Sequence, residues 1–296
     1  MHSTEQMNKA ANNIRILAAS MVEKAQSGHP GGALGGSDFI NVLYSEFLRY
    51  DPENPGWEGR DRFFLDPGHE APMLYSQLCL AGKFSLEDLQ SLRQWGSVCP
   101  GHPERDIARG IENSSGPLGQ GHVFAVGAAI AAKWFNARYG EVHNPTIYAY
   151  ISDGGVQEEI SQGAGRLAGH LGLDNLIMFY DSNEVQLSTL CKDVSSENVG
   201  AKYEAWGWYV QEIAGNDPDA IREALLRAKE MHGKPSLIIG HTAMGKGAVT
   251  ATGESFEGKC STHGQPLSAS GASYEETVRH LGGNPTKPFA IFPEVA

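Results

Sequence analysis

The segment 146-TIYAYISDGG-155 is the strongest indicator of the fold, because an apolar strand runs directly into an acidic residue and two glycines. We predict a strand over Thr146 to Ile151 and a helix over about Gln157 to Leu171. A second apolar strand, Asn175 to Tyr180, follows this helix. Apolar strands that alternate with helices are typical of a parallel sheet with helices on both faces. The sequence therefore predicts an α/β fold.

The same alternation extends outward on both sides of this unit. Further strands are predicted at Phe63–Leu65, Trp208–Ile213 and Ser236–Ile239. Helical spacing or capping residues predict helices over Met7–Lys24 and Asp38–Leu48, after Ser85 and after Asp217. We find no internal repeat and no linker before residue 284, so we predict one domain over residues 1–283 and a linker or C-terminal tail over 284–296.

A further helix is predicted after the loop-rich stretch 100–121. Its small residues fall on several faces, and they include Ala125, Gly127, Ala128 and Ala131. Small side chains let a helix approach its neighbours closely. We therefore expect this helix to be central in the fold.

The composition is that of a globular protein, with 41% hydrophobic and 20% charged residues among 296. A formal net charge of −12 argues against binding to nucleic acid, which needs a basic face. Cys79, Cys99, Cys191 and Cys260 form no CxxC pair, so we expect free thiols in a reducing compartment. No signal peptide and no membrane-spanning run is evident, and we predict a cytoplasmic protein without membrane contact.

Ligand-binding residues are expected where the strands end, because open parallel sheets bind ligands beyond the carboxyl ends of their strands. Asp153 and Asn183 occupy equivalent positions after two strands that one helical crossover joins. A carboxylate and an amide oxygen at one edge could share a Mg²⁺ ion, which completes its shell with phosphate and water oxygens. Gly154 and Gly155 would let backbone N–H groups approach a diphosphate at the start of the next helix. The alternative is that Asp153 and Asn183 only form turns.

Histidines are the second group of candidate site residues. Eight of the 11 adjoin a glycine, which places most of them in loops where a side chain can face a ligand. Such a histidine can move protons and bind sugar hydroxyls or phosphate. We assign site roles to His29, His69, His102 and His263. Roles for His122 and His241 stay open, and we expect His170 to be a hydrogen-bonded core residue.

Five short motifs, in order along the chain, resemble those of the transketolases. They are Ser27-Gly28-His29-Pro30-Gly31, Gly68-His69, Pro100-Gly101-His102-Pro103-Glu104, Ser115-Gly116-Pro117-Leu118-Gly119-Gln120-Gly121 and Thr262-His263-Gly264. The spacing of Asp153-Gly154 and Asn183 resembles the thiamine diphosphate motif GDG…N, with Ser152 in place of the first glycine. The resemblance runs from about residue 10 to 290 and implies a thiamine-diphosphate-binding fold, namely the diphosphate-binding (N-terminal) half of a transketolase.

The resemblance also implies roles for individual residues. Mg²⁺, for which Ca²⁺ or Mn²⁺ could substitute, would be bound by Asp153, Asn183 and the Val185 carbonyl. Thiamine diphosphate would be contacted by His69, Gly116, Pro117, Leu118, Gly154, Glu158, Asn183 and His263. The implied catalytic residues are His263, His102 and His29, with His263 or His102 as the base that removes the C3-hydroxyl proton of the donor. Glu158 also matches a glutamate of the family's subunit interface.

The implied reaction transfers a two-carbon ketol unit from a ketose phosphate to an aldose phosphate, a step of the pentose phosphate pathway. In this family, the glutamate that activates the cofactor belongs to a separate pyrimidine-binding domain, and arginines that bind the substrate phosphate lie downstream. We expect both beyond residue 296. The chain should then be inactive without a C-terminal subunit, with which it would form a dimer or heterotetramer. The alternative is a piece of a longer transketolase.

Other interpretations stay open at this point. The chain could be a deoxyxylulose-phosphate synthase-like component or the alpha chain of a 2-oxo acid dehydrogenase, although the segments 101–103 and 116–121 favour transketolase. It could be a scaffold that binds no cofactor, which the presence of Asp153, Asn183 and the four histidines disfavours. It could also be a transketolase specialised for an unusual sugar, which split subunits could serve. The identity of the sugar stays open, since much of that pocket would come from the absent half.

Overall fold

Five parallel strands form the central sheet in the computed structural model, which describes residues 2–140 and 144–296. The strands are β1 (Arg62–Leu65), β2 (Ile147–Ser152), β3 (Leu176–Ser182), β4 (Tyr209–Ala214) and β5 (Ser236–His241). Their order across the sheet is β1-β2-β3-β5-β4, and every neighbouring pair is parallel. The predicted α/β class with a parallel sheet is confirmed.

Helices cover both faces of this sheet. The α-helices of the described residues are α1 (Thr4–Ala25), α2 (Pro30–Gly35), α3 (Ser37–Val42), α4 (Ala71–Leu80), α5 (Leu86–Leu89), α6 (Gln120–Tyr139), α7 (Asp153–Gln157), α8 (Glu159–His170), α9 (Val199–Ala205), α10 (Pro218–Glu230), α11 (Leu267–Ser270) and α12 (Tyr274–His280). One face packs against α1, α3, α4 and α10, and the other against α6, α8 and α9. Side chains of β2 alternate accordingly, with Tyr148 and Tyr150 toward the first layer and Ala149 and Ile151 toward the second.

The register of the strands brings their carboxyl ends to one edge of the sheet. Ser152 pairs with Asp181, and Ser182 pairs with His241. The segments that follow β2 and β3 therefore leave the sheet side by side. This edge is where ligands bind in open parallel sheets.

The helix α2 was not predicted from the sequence, because its segment is rich in glycine. Its glycines serve close packing instead of flexibility. A Cβ atom at Gly31 would lie 2.3 Å from the Met244 sulfur, and one at Gly32 would lie 2.3 Å from Glu70 Oε1. The predicted helix over Asp38–Leu48 is α3 followed by a wider π-helical turn, Leu43–Phe47.

The prediction of a helix over Gln157–Leu171 is wrong about where helical structure begins. α7 begins at Asp153, directly after β2. Glu158 then has an extended backbone (φ −67°, ψ 132°), and α8 begins at the next residue. The break places Glu158 at the junction of two helices, which helical periodicity could not indicate.

The expectation that α6 is central is wrong for one of its faces. Ala125 and Ala129 are fully buried, but Gly127 and Ala131 are exposed, and a Cβ atom at Gly127 would meet nothing within 4 Å. Large apolar side chains are exposed on the same helix: Phe124, Ile130, Trp134, Phe135 and Tyr139. α6 is therefore a surface helix with an uncovered apolar face.

The C-terminal tail packs against α1. Asn13, which is fully buried, donates through Nδ2 to the Ala290 carbonyl (2.8 Å) and accepts at Oδ1 from the Phe292 N–H (2.8 Å). The assignment of residues 284–296 as a linker stays a prediction. Within residues 2–140 and 144–296, no helix combines the length and the apolar character that crossing a membrane requires.

Candidate functional site

Asp153 and Asn183 lie side by side at the carboxyl edge of the sheet. Asp153 Oδ2 accepts hydrogen bonds from the backbone N–H groups of Asn183 (3.2 Å) and Glu184 (3.0 Å). Its Oδ1 atom accepts a hydrogen bond of 2.5 Å from the Tyr180 hydroxyl. The carboxylate is buried and held from two sides. The two strand ends thus bring their polar side chains together.

The side chain of Asn183 is also held in a defined orientation. Its Nδ2 donates to Asp181 Oδ2 (3.0 Å), and its Oδ1 accepts from the Val185 N–H (3.1 Å). Glu184, which lies between Asn183 and Val185 in the chain, has a left-handed backbone (φ 62°), which is uncommon for a residue with a side chain. Backbone strain of this kind clusters at functional sites.

Oxygen atoms at this edge fit a small divalent cation. Asp153, Asn183 and Val185 line one cavity, and each carries an oxygen that suits a hard cation. Burial raises the pKa of the Asp153 carboxyl and raises that of Asp181 to about 6, so a cation would offset an existing electrostatic cost. In the part of the chain that the structure describes, no three His, Cys, Asp or Glu side chains converge as a metal centre. A cation here would therefore need further ligands, such as phosphate oxygens.

Ser152 stands where the motif usually has glycine, and it caps α7. Its Oγ accepts a hydrogen bond from the Gly155 N–H (3.4 Å). Its backbone is extended (φ −102°, ψ 173°), a conformation open to any residue. The backbone at position 152 therefore does not require glycine. Gly154 is different, because a Cβ atom there would lie 2.8 Å from the Leu118 side chain.

Asp66, directly after β1, was missed as a site residue. Its Oδ2 accepts from the Gly119 N–H (3.0 Å), and its Oδ1 accepts from the His122 N–H (3.3 Å). Burial raises the pKa of this carboxyl to about 6. Both bonds fix the loop at the start of α6 that carries Leu118. The sequence did offer a signal, since Asp66 is an acidic residue at the end of a predicted strand.

Three of the predicted histidines form one cluster. The ring centroids of His29 and His69 lie 5.0 Å apart, those of His69 and His263 5.4 Å, and those of His29 and His263 5.8 Å. The fourth, His102, is close enough to lower the pKa of His29. A Cβ atom at Gly116 would lie 3.9 Å from the His102 ring, so the loop before α6 adjoins this group.

All four histidines favour the neutral imidazole. Burial, followed by the nearby His263, Arg93 and His102, lowers the pKa of His29 to about 4. Burial also lowers the pKa of the other three rings, and that of His69 falls well below its usual value. The Nδ1 atom of His263 is buried and has no hydrogen-bond partner among the described residues. Neutral rings with a free nitrogen are suited to proton transfer with a bound ligand.

Arg93 adds a positive charge to this cluster, and the sequence motifs did not identify it. One guanidinium nitrogen lies 3.4 Å from His29 Nδ1, and another donates to Ser27 Oγ (2.8 Å). Its backbone is left-handed (φ 61°). The only sequence signal is its position shortly before the Gly101-His102 motif. Arg93 gives the cluster a cationic neighbour that suits an anionic ligand.

Three further histidines that adjoin glycine, His122, His241 and His170, lie away from the cluster. His122 is fully buried, its Nδ1 lies 2.8 Å from Ser161 Oγ, and burial lowers its pKa to about 3, so it is a neutral core residue. His241 is exposed at the end of β5, 3.3 Å from Glu212. His170 is exposed at the end of α8, so the expectation of a core role for it is wrong.

One cavity of about 410 Å³ joins most of the candidate residues. Its walls include His69, Leu118, Asp153, Gly154, Glu158, Asn183, Val185 and His263. Glu158 is exposed where α7 meets α8, and Pro117 is exposed beside Leu118. The cavity therefore has polar and acidic groups at the strand ends, an apolar side chain on one side and histidines on another.

The chain matches a family model described as "Transketolase, thiamine diphosphate binding domain" over residues 6–296. It is 42% identical to transketolase-1, chloroplastic, from Arabidopsis thaliana, over 98% of the chain and 39% of that protein. It is 41% identical to a transketolase from Geobacillus stearothermophilus, over 90% of the chain and 40% of that protein. The chain thus spans about two-fifths of the length of these relatives.

Solved transketolase structures share the fold. The structure from Campylobacter jejuni has a TM-score of 0.90 at 38% identity, covering 100% of this chain and 45% of that one. A Pichia stipitis transketolase in complex with sedoheptulose-7-phosphate has a TM-score of 0.91 at 37% identity, covering 99% and 43%. The likeness extends over nearly the whole chain but over less than half of either solved structure.

Proposed function

The chain belongs to the transketolase family through that family's thiamine diphosphate binding domain, and from this premise we propose that it holds the cofactor's diphosphate through a divalent cation. The observation that carries the proposal is that two strand ends lie side by side, with Asp153 Oδ2 3.2 Å from the backbone nitrogen of Asn183. Mg²⁺ would bind Asp153, Asn183 and the Val185 carbonyl, and Ca²⁺ or Mn²⁺ could replace it. Its remaining ligands would be diphosphate and water oxygens.

Residues around the cation site suit the rest of thiamine diphosphate. Gly154 leaves room for a diphosphate near the backbone, and Leu118, with Gly116 and Pro117 beside it, offers an apolar surface to an aromatic ring. When bound, the cofactor supplies the nucleophile that splits the C2–C3 bond of a ketose phosphate and retains the electron pair. We propose transfer of this two-carbon ketol unit to an aldose phosphate as the reaction of the assembled enzyme.

The histidine cluster would bind the donor sugar and move its protons. His29 and His102 would bind hydroxyl groups, while His263 or His102 would take the C3-hydroxyl proton. A base for this step needs a neutral ring with a free nitrogen, and the lowered histidine pKa values supply that state at neutral pH. The charge of Arg93 would attract an anionic sugar phosphate.

A second polypeptide is part of the proposal, because the chain spans about two-fifths of its relatives. We propose that a C-terminal transketolase subunit with the pyrimidine-binding domain supplies the activating glutamate and completes the sugar phosphate pocket. The chain would be inactive alone and would act in a dimer or heterotetramer. We also propose a cytoplasmic location, which cell fractionation tests.

The uncovered faces of α6 and α8 form the surface that we assign to this subunit. The α6–α8 surface consists of Phe124, Ile130, Trp134, Phe135 and Tyr139 on α6, Ile160 and Leu167 on α8, and Leu171 directly after α8. Each of these residues is between 36% and 60% exposed, and a concentration of exposed apolar side chains is typical of an interaction site. A Cβ atom at Gly119, the residue just before α6, would lie 2.9 Å from Glu158 and 3.0 Å from Ile160, so the start of α6 adjoins a residue of the cavity wall. A subunit bound there would therefore reach the cofactor site.

Calorimetry with thiamine diphosphate and Mg²⁺ tests the cofactor proposal, with and without a candidate C-terminal subunit. We expect the wild type to bind and Asp153→Asn to lose binding, because an amide cannot neutralise the cation. Asp51→Asn is the matched control, since Asp51 lies in a loop before β1, outside the cavity. Equal binding by Asp153→Asn and the wild type would refute the cation site.

Activity assays test the reaction and the need for a partner. Ketol transfer between sugar phosphates should appear only when the chain and the C-terminal subunit are mixed. Full activity of the chain alone would overturn the two-chain proposal. Turnover of a 2-oxo acid in place of a ketose phosphate would favour one of the other thiamine diphosphate enzymes.

A further inference from the structure

Glu70 is a buried carboxyl that the proposed function does not use. It follows His69 in the short 3-10 turn Gly68–Glu70, and only 1% of it is exposed. Its side chain lines the same cavity as Asp153 and His263. Its Oε2 atom nevertheless has no hydrogen-bond partner in the described part of the chain. Buried polar atoms are almost always hydrogen-bonded, so an orphan oxygen in a ligand cavity requires an explanation.

The glycine-rich helix α2 confines this carboxyl. A Cβ atom at Gly32 would lie 2.3 Å from Glu70 Oε1, and one at Gly36, just after α2, would lie 2.3 Å from the Tyr150 hydroxyl. The Tyr150 hydroxyl is itself buried and makes no well-formed hydrogen bond with the described residues. The backbone around α2 thus covers two unsatisfied polar groups at once, which only glycine permits at these positions.

The groups that face Glu70 are acidic or neutral. Asp181 on β3, Asp153 after β2 and Asp66 after β1 all raise its pKa, whereas the nearby Tyr150 hydroxyl on β2 lowers it. The helix α2 faces Glu70 with Gly32, which carries no charge. His69, in the same 3-10 turn as Glu70, is neutral because burial lowers its pKa. Burial is the largest cause, and it holds the pKa of Glu70 well above its usual range. A second negative charge beside Asp181 would be costly here, so the protonated acid is favoured.

His69 Nε2 lies 3.8 Å from Glu70 Oε1. This distance is longer than a hydrogen bond, and a small rotation of the Glu70 side chain would close it. A neutral imidazole has one donor and one acceptor nitrogen, and the hydrogen bond at one nitrogen sets which of them carries the proton. Glu70 is therefore placed to decide the tautomer of His69.

We propose that Glu70 is a positioning residue that donates its carboxylic acid proton in a hydrogen bond to Nε2 of His69, so that the imidazole keeps its own proton on Nδ1. The cavity then has one negative charge fewer, and His69 keeps a donor nitrogen for an anionic ligand. This inference deepens the proposed function, because it concerns a histidine of the same cavity. Its main tests use the chain without cofactor or partner, so its failure can be told apart from failure of the proposed function.

Infrared spectroscopy at neutral pH tests the protonation state directly. A protonated carboxylic acid has its own carbonyl stretching band, and the difference between wild type and Glu70→Gln isolates the contribution of Glu70. We expect this band in the wild type and its loss in Glu70→Gln. Glu87→Gln is the matched control, because Glu87 is exposed on α5 and its loss should leave the band unchanged. A band that Glu70→Gln does not alter overturns the proposal.

Nuclear magnetic resonance of ¹⁵N-labelled histidine tests the tautomer, with the His69 signals assigned by a His69→Gln variant. We expect the Nδ1-protonated form in the wild type and in Glu70→Gln, whose amide also donates. Glu70→Met, of similar length but without a donor, should shift His69 toward the Nε2-protonated form. An Nε2-protonated His69 in the wild type contradicts the proposal, and so does a folded Glu70→Met with an unchanged tautomer. If Glu70→Met fails to fold, the infrared difference decides.

Cofactor binding supplies a separate measurement. With thiamine diphosphate and Mg²⁺, we expect the Kd of Glu70→Gln to stay within about twofold of the wild type, since neither side chain carries a charge. Removal of an ionised carboxylate would instead tighten binding of an anion, and a gain of about tenfold, or ~1.4 kcal/mol, overturns the proposal. If the wild type itself does not bind, the proposed function fails while the spectroscopic tests of Glu70 stand.

Discussion

The hydroxyl of Tyr180 donates a hydrogen bond of 2.5 Å to Oδ1 of Asp153 at the carboxyl edge of the sheet. Tyr180 belongs to β3, so the bond links this strand to the first residue of α7. Burial and the adjacent Asp153 charge raise the pKa of the hydroxyl, which therefore remains a donor at all ordinary pH values. The carboxylate is thus oriented before any cation binds.

Removing this hydroxyl should weaken cation binding. Tyr180→Phe keeps the ring in the core and deletes only the donor to Asp153. A hydrogen bond to a charged group contributes about 1.5–3 kcal/mol, so we expect the Kd for Mg²⁺ in the presence of thiamine diphosphate to rise by about tenfold or more. Calorimetry measures this change, and Tyr209→Phe, at the start of β4, is the control. Unchanged affinity in Tyr180→Phe would mean that the backbone N–H groups alone orient Asp153.

His263→Ala should lower turnover much more than cofactor affinity. A general base commonly contributes about 10²–10⁴-fold to the rate, so we expect kcat of the assembled enzyme to fall by at least about 100-fold. The Kd for thiamine diphosphate should change by less, because the cation and Leu118 provide most of the binding. His280→Ala, on the exposed end of α12, serves as the control. An unchanged kcat would exclude His263 as the base.

His122 should make the protein less stable in acid. Burial lowers its pKa from 6.5 to about 3, so the unfolded chain binds this proton more readily than the folded one. Its contribution to stability is therefore complete above pH 6.5 and is lost as the pH falls from 6.5 toward 3. Between about pH 7.5 and about pH 5.5, this residue should lower the unfolding free energy by about 1.4 kcal/mol.

Urea unfolding at these two pH values measures the effect of His122. His122→Asn keeps a polar atom near Ser161 and should reduce the acid-induced loss of unfolding free energy by about 1.4 kcal/mol. Other buried histidines add their own losses, so the difference between variant and wild type is the relevant quantity. His170→Asn, on the exposed end of α8, should behave as the wild type. If the unfolding free energy of His122→Asn and of the wild type depends on pH in the same way, His122 is not the buried neutral residue that causes the loss.

A charge on the α6–α8 surface should prevent binding of the C-terminal subunit. Trp134 is 57% exposed on this surface, and Trp134→Glu would place a charge where an apolar partner must pack. An aromatic anchor at an interface commonly contributes about 2 kcal/mol or more, so we expect the Kd for the subunit to rise about 30-fold or more. Trp95→Glu is the matched control, because Trp95 is fully exposed in a loop outside this surface. Calorimetry with the purified subunit measures both, and an equal loss in the two variants would rule out a specific role for the surface.

Much of the fold follows from local patterns. The strand predicted over Thr146–Ile151 is β2 (Ile147–Ser152), because continuous apolar runs bounded by glycine form buried parallel strands. The helix predicted over Met7–Lys24 is α1, whose start is a capping box between Ser3 and Gln6. Local patterns failed for α2, because intrinsic propensity disfavours glycine in helices and tertiary packing overrides it here.

Sequence patterns were enough to predict that Asp153 and Asn183 follow two strands joined by one helical crossover, since apolar runs show where strands end and such a crossover brings both ends to one edge of the sheet. The sequence also determined which histidines adjoin glycine. The ring centroids of His29, His69 and His263 lie within 6 Å of one another, and this proximity depends on the packed fold because the three residues come from segments far apart in the chain. The same holds for Arg93 and Glu70, whose place beside those rings depends on how α2 and the loops pack. Spacing along a chain specifies local structure, whereas distances between remote segments are set by the packing of the whole core.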